Sequence, residues 1–309
     1  MSNEVVRVGC AVPVTPGTQW SSGGHREAIA RIAGAGLDHV VFGDHVSFLG
    51  GAGTDGLLHA AAALGQEPEL PVFVAVYLLA LRHPVVVARQ LADLDVLAPG
   101  LLTLGIGLGG EDRHEFEVCG IDPATRGRRT DECLTVLRGL LAGESVTFAG
   151  RHIGVDSATV TPAPSRPTKI IIGGRSDAAL TRAARFGDGW IGIWLSANRF
   201  ADAVAAIQGR ASAEGRTVDR WSHALNVWCG LAGTKEKAES AIANGMQTFY
   251  NLPYERFARW SPAGTPDEVA EFLAPYIESG CTTLNLIPCG DEIEETVEMA
   301  AKVGALLRT

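Results

Sequence analysis

The chain has 309 residues, 46% of them hydrophobic and 20% charged, which is ample for one large core. A formal net charge of −9 tells against nucleic-acid binding, and no run of 18 apolar residues offers a membrane span. The opening MSNEVVRV has no charged-then-apolar leader, so the expectation is a cytoplasmic protein made as one domain over residues 1–309.

Six cysteines show no CxxC or Cys/His ligand spacing, and several sit in apolar runs. They read as buried thiols, and no metal site is expected.

In chain order, Val5–Val14 is a first strand that leaves through Pro13 and Pro16, and Gly24–Ala35 has helical spacing stopped by Gly36. His39–Gly43 is a second short buried strand, with Asp44 and His45 at its C-terminal end. Gly50–Gly56 is glycine-rich and reads as a mobile loop; His59–Leu64 resumes a helix. Val72–Leu81 is a third strand, followed by Arg82-His83-Pro84 and a helix to Leu97. Pro99-Gly100 turns into a fourth strand, Leu101–Ile106, which runs into Gly107-Leu108-Gly109-Gly110.

Glu115–Gly120 reads as a short helix and Thr125–Ala142 as a long one, with Val146–Val155 a small hairpin outside the main repeat. The stretch KIIIGGRSDAALTRAARFGDGW, Lys169–Trp190, organises the rest. Ile170–Ile172 suits a parallel strand buried on both faces. Gly173 and Gly174 let the chain turn, and Ser176 or Asp177 can cap the next helix. Arg175 adds a positive charge beside a helix N-terminus that already favours anions, so the turn reads as a phosphate seat. Gly189–Trp194, His223–Leu231 and Thr282–Pro288 complete eight strands. Their helices are Asn198–Glu214, Thr234–Asn244, Thr265–Glu278 and Asp291–Leu307.

Alternating strands and helices in this number predict an α/β fold, a (β/α)8 TIM barrel, ahead of a doubly wound open sheet. Insertion segments fall at Gly50–Gly56, Val146–Val155 and Asn244–Pro262. In a barrel the chemistry belongs at the C-terminal ends of the strands.

Four motifs occur in order: Gly43-Asp44-His45; Leu81-Arg82-His83-Pro84 with Leu97-Ala98-Pro99-Gly100; Leu104–Gly110 with Gly120 and Arg126–Arg129; and Ile172–Ser176 with Gly187–Trp190. On these the chain resembles the luciferase-like monooxygenase family, and within it the oxidoreductases that use the deazaflavin coenzyme F420. The resemblance implies a homodimeric barrel that binds F420, or alternatively FMN. It implies cofactor contacts at Gly107 and Leu108, and at Gly173, Gly174, Arg175 and Ser176 for the phosphate end. It also implies a non-proline cis peptide in the third strand, at Ala75-Val76. His45 matches the family's active-site histidine, and Asp44 orients its loop or accepts a hydrogen bond. His83 reads as structural, and Arg126, Arg128 and Arg129 as a solvated face that can also meet carboxylates.

The chain departs from its relatives at two places. FMN-using members place an arginine where Leu108 stands, and the sugar-phosphate dehydrogenases place a glutamate there and a tryptophan at Leu49. The resemblance therefore implies hydride transfer between F420 and a small apolar substrate bounded by Phe48, Leu49, Leu108, Trp194 and Trp228, most simply as an F420H2-dependent reductase. The alternatives are an FMNH2-dependent two-component monooxygenase supplied by a partner reductase, and a non-catalytic flavin-binding barrel.

Overall fold

The computed structural model describes residues 5–15 and 22–308; Met1–Glu4 and Pro16, used in the reading above, lie outside the described residues. Eight strands carry the parallel ladder. They are β1 (Arg7–Ala11), β2 (His39–Phe42), β3 (Val72–Tyr77), β4 (Leu102–Ile106), β5 (Lys169–Gly173), β6 (Gly189–Ile193), β7 (Ala224–Leu231) and β8 (Thr283–Cys289). They hydrogen-bond in the order β6-β5-β4-β3-β2-β1-β8-β7, and β7 pairs again with β6. This is the expected (β/α)8 barrel. A two-residue strand, Ala263–Gly264, adds to β7.

The chain falls into two compact units. One comprises Phe42–Gly189 and Arg210–Val218; the other comprises the described residues up to Val41, with Trp190–Gly209 and those from Asp219 onward.

In the first unit the β4–β5 register sets Leu104 against Ile170 and Ile106 against Ile172, all at most 1% exposed. Continuous apolar runs are what a parallel strand covered on both faces demands. Caps fix where its helices begin. The Asp55 carboxylate accepts from Leu57 N and Leu58 N, both at 3.0 Å, to open helix Gly56–Gln66. His83 does the same for Pro84–Leu97 through Val85 N, in keeping with a structural role.

In the second unit Gly9 in β1 has no side chain because the His39 ring occupies the space a Cβ would need. That ring meets Asn285 Oδ1 at 2.7 Å, and Asn285 Nδ2 donates to Asn226 Oδ1 at 3.0 Å. Helix Pro266–Glu278 opens with a capping box between Thr265 and Glu268.

Two expected insertions differ from the sequence reading. The glycine-rich stretch is no loose loop: Ala52–Thr54 pairs antiparallel with His45–Phe48, and Gly53 lies so close on the His45 carbonyl that no side chain fits. The helix expected to stop at Asn244 runs from Lys235 to Tyr250. The hairpin in Val146–Val155 is present, its strands being Val146–Ala149 and Gly154–Ala158. All six cysteines carry free thiols, five of them buried. No helix among the described residues is long and apolar enough to cross a membrane.

Candidate active site

At the C-terminal end of β2, two adjacent residues face opposite environments. Asp44 is 2% exposed and accepts four hydrogen bonds: Gly56 N at 3.0 Å, Leu78 N at 2.9 Å, and Arg82 at 2.6 and 2.8 Å. Burial pushes this carboxyl up, and the four donors oppose the shift by favouring the carboxylate. Arg82 also reaches Asp55 and lies over the Tyr77 ring, its carbon 4.4 Å from the centroid. The clamp thus ties the end of β2 to the helix after the hairpin and to the turn after β3.

His45 begins the hairpin and turns toward Glu115, which the sequence reading treated only as the start of a short helix. The Glu115 oxygens lie 3.2 and 3.1 Å from His45 Nδ1. Oε1 also accepts from Val46 N at 2.7 Å and Ser47 N at 3.4 Å. Glu115 is 1% exposed. Burial alone would raise its carboxyl, but His45 and these two N–H groups hold it below its usual range. Phe48, also buried, stacks on the imidazole with ring centroids 4.2 Å apart. Leu49 is half exposed at the hairpin tip, its N donating to Asp112 at 2.8 Å.

The Ala75-Val76 peptide is cis, and the β3–β4 register shifts between Val74 and Tyr77. A side chain at Gly107 would land on Val76, so glycine there is what lets the bulge exist. Leu108 lies close to Gly127, at the start of helix Arg126–Leu141.

After β5, Gly174 has φ 115°, which disfavours any side chain, and Ala179 fills the space beside it. Gly174, Arg175 and Ser176 are exposed. Ser176, not Asp177, caps helix Asp177–Phe186, its Oγ accepting from Ala179 N at 3.2 Å. Asp177 instead pairs with Arg210.

Two of the three arginines expected on a solvated face are engaged. Arg129 donates to Ala80 O and His152 O, and Arg126 donates to Pro123 O with its guanidinium beside Gly110. Arg128 is exposed.

Trp194 and Trp228 belong to the second unit. Trp194 packs on Tyr250 and Phe257, and Trp228 on Phe249 and Tyr250, with centroids 4.6–5.5 Å apart. Trp228 is 3% exposed, and its indole N–H has no partner among the described residues.

A family model described as luciferase-like monooxygenase matches residues 7–263. The chain belongs to the luciferase-like monooxygenase family. Among relatives, an F420-dependent glucose-6-phosphate dehydrogenase of Beutenbergia cavernae is 31% identical over 283 residues, 81% of this chain and 82% of that one. An uncharacterised protein of Mycobacterium tuberculosis is 40% identical over 113 residues, a match spanning 37% of this chain and 38% of that protein. A solved F420-dependent secondary alcohol dehydrogenase, in complex with an F420-acetone adduct, superposes with a TM-score of 0.85 at 18% identity, over 98% of this chain and 99% of that one. At that identity the likeness is one of fold.

Proposed function

We propose that the protein is an F420-dependent oxidoreductase transferring hydride between the deazaflavin and a small, largely apolar organic substrate, working as an F420H2-dependent reductase. The observation that carries this reading is His45, fixed at the end of β2 by a buried carboxylate. It is a proton carrier where such a barrel keeps its chemistry.

The residues present fit the cofactor. Gly107 leaves room for the Val76 bulge, the surface expected against a flat ring, and the exposed residues Gly174, Arg175 and Ser176 bring a cation to the N-terminus of helix Asp177–Phe186, where an anion is favoured. Gly173 positions that turn from the end of β5. When bound, F420 supplies or accepts the hydride. His45 holds the accompanying proton, Asp44 fixes the strand end that carries it, and Phe48 backs its ring.

Leucine at 108 leaves out the arginine that FMN-using members place there. The same leucine, with Leu49, removes two residues of the sugar-phosphate enzymes, so the sugar-phosphate substrate is not carried over.

Fluorescence-quenching titration with F420 and, in parallel, with FMN tests the reading. Tight F420 binding with weak FMN binding is the expected result. The reverse would replace it with a two-component monooxygenase, to be followed by oxygen consumption with a flavin reductase present.

A further inference from the structure

We infer that Glu115 is a positioning residue for His45: it keeps the proton on Nδ1, so that Nε2 is the ring nitrogen that exchanges a proton with substrate. This rests on the reading of His45 as the proton carrier and extends it to an atom and to a second residue.

The argument is one of donors and acceptors. An ionised carboxylate only accepts hydrogen bonds. Both Glu115 oxygens lie within 3.2 Å of Nδ1, so a neutral imidazole in this setting presents N–H on Nδ1 and its basic lone pair on Nε2. The Oε1 bonds to Val46 N and Ser47 N tie the carboxylate to the strand that carries His45, so the two move together. Phe48, stacked on the ring, resists the flip that would exchange the nitrogens.

Other charges around the hairpin are already committed. Asp112 accepts from Leu49 N, and Arg82 donates to both Asp44 and Asp55. The Cys119 thiol near Glu115 is raised by burial, then by the carboxylate, and stays neutral. Glu115 is thus a carboxylate held against Nδ1 of the imidazole.

The proton balance follows. In the reductive direction, in which bound reduced deazaflavin would supply the hydride, the His45 imidazolium would supply the substrate's proton. The Nε2–H bond breaks as the new bond to hydrogen forms, and the ring becomes neutral with its remaining proton on Nδ1. Solvent then reprotonates Nε2. Through both states Glu115, held below its usual range, stays ionised.

The first measurement needs no cofactor. Protein labelled with 15N in its histidine rings reports each tautomer through two-bond 1H–15N correlations, and His45→Gln identifies the His45 signals by their loss. Wild type is expected to show the neutral His45 ring protonated on Nδ1. In Glu115→Gln the amide oxygen keeps Val46 N and Ser47 N, and the amide N–H2 faces Nδ1, so the proton moves to Nε2. With F420, kcat of that variant is expected to fall about 10–100-fold, with KM for F420 changed less than about twofold. A wild-type His45 protonated on Nε2 overturns the inference even if the variant does not fold. An unchanged tautomer in Glu115→Gln, or unchanged kcat, also overturns it. The expected tautomers in a protein that does not bind F420 would support the positioning role and remove only the cofactor reading.

Discussion

The Arg82 guanidinium grips the Asp44 carboxylate through two hydrogen bonds of 2.6 and 2.8 Å, with the carboxylate fully out of water. Losing one partner of such a pair strands a buried charge and typically costs about 3–5 kcal/mol. Arg82→Ala should therefore lower unfolding free energy by about 3 kcal/mol in urea titration. Asp44→Asn should do so by less, because the amide keeps an acceptor for Leu78 N or Gly56 N. If Arg82→Ala unfolds like wild type, the clamp is not what holds the hairpin.

Gly107 lies against Val76, so Gly107→Ala forces either the bulge or β4 to shift. Overpacking of this kind costs about 1–3 kcal/mol. The variant should unfold at lower urea and bind F420 more weakly, whereas Gly154→Ala, with nothing near its added methyl, should do neither. Equal F420 affinity in Gly107→Ala and wild type would separate the bulge from cofactor binding.

Ser176 and Arg175 should divide their effects. Ser176→Ala removes a helix cap and should cost about 1 kcal/mol of stability. Arg175→Ala alters an exposed side chain, so stability should hold while the F420 dissociation constant rises and its salt dependence weakens. A dissociation constant within about twofold of wild type in the double variant would move the phosphate elsewhere.

Acid should destabilise the protein early. Burial pushes His39 down to about 4, although its bond to Asn285 opposes the shift, and burial pushes His223 down to about 4 as well. Both depressed values lie below the ordinary histidine range near 6.5, so the unfolded chain takes up protons first as pH falls. The stability these rings contribute is complete above about 6.5 and is lost toward 4. Urea titrations at pH 7 and 5 should differ by about 1–2 kcal/mol for each histidine, before most carboxylates titrate. A flat profile over that interval would mean the rings are hydrated.

The strands were legible because buried parallel strands announce themselves as β-branched runs, as at Ile170–Ile172. The cap after β5 was legible to within one residue, Ser176 or Asp177, because its geometry is local, and His83 as structural beside Pro84. Glu115 was not, since its partner His45 is 70 positions away and nothing in the HEFEV segment marks a carboxylate as turned inward. Helix Lys235–Tyr250 outran the reading at Asn244-Gly245 for a related reason. Gly245 looks like a stop, yet it is glycine because Cys289 Sγ would lie 2.5 Å from any Cβ there. Arg126 and Arg129 were misjudged similarly, their partners being backbone carbonyls that no side-chain pattern reveals.

The alternation of the strand at Asp44-His45 separates the clamp from the proposed site of chemistry by one residue. Asp44 points back into its clamp and His45 forward, while Val46 and Leu49 on the same hairpin are about half exposed and outside both networks through their side chains. Variation at those two positions can reshape what the hairpin offers to an incoming molecule without unfastening it. A library confined to Val46 and Leu49 is thus the economical place to seek altered substrate preference, because the Asp44–Arg82 anchorage and the His45–Glu115 pair would be inherited unchanged.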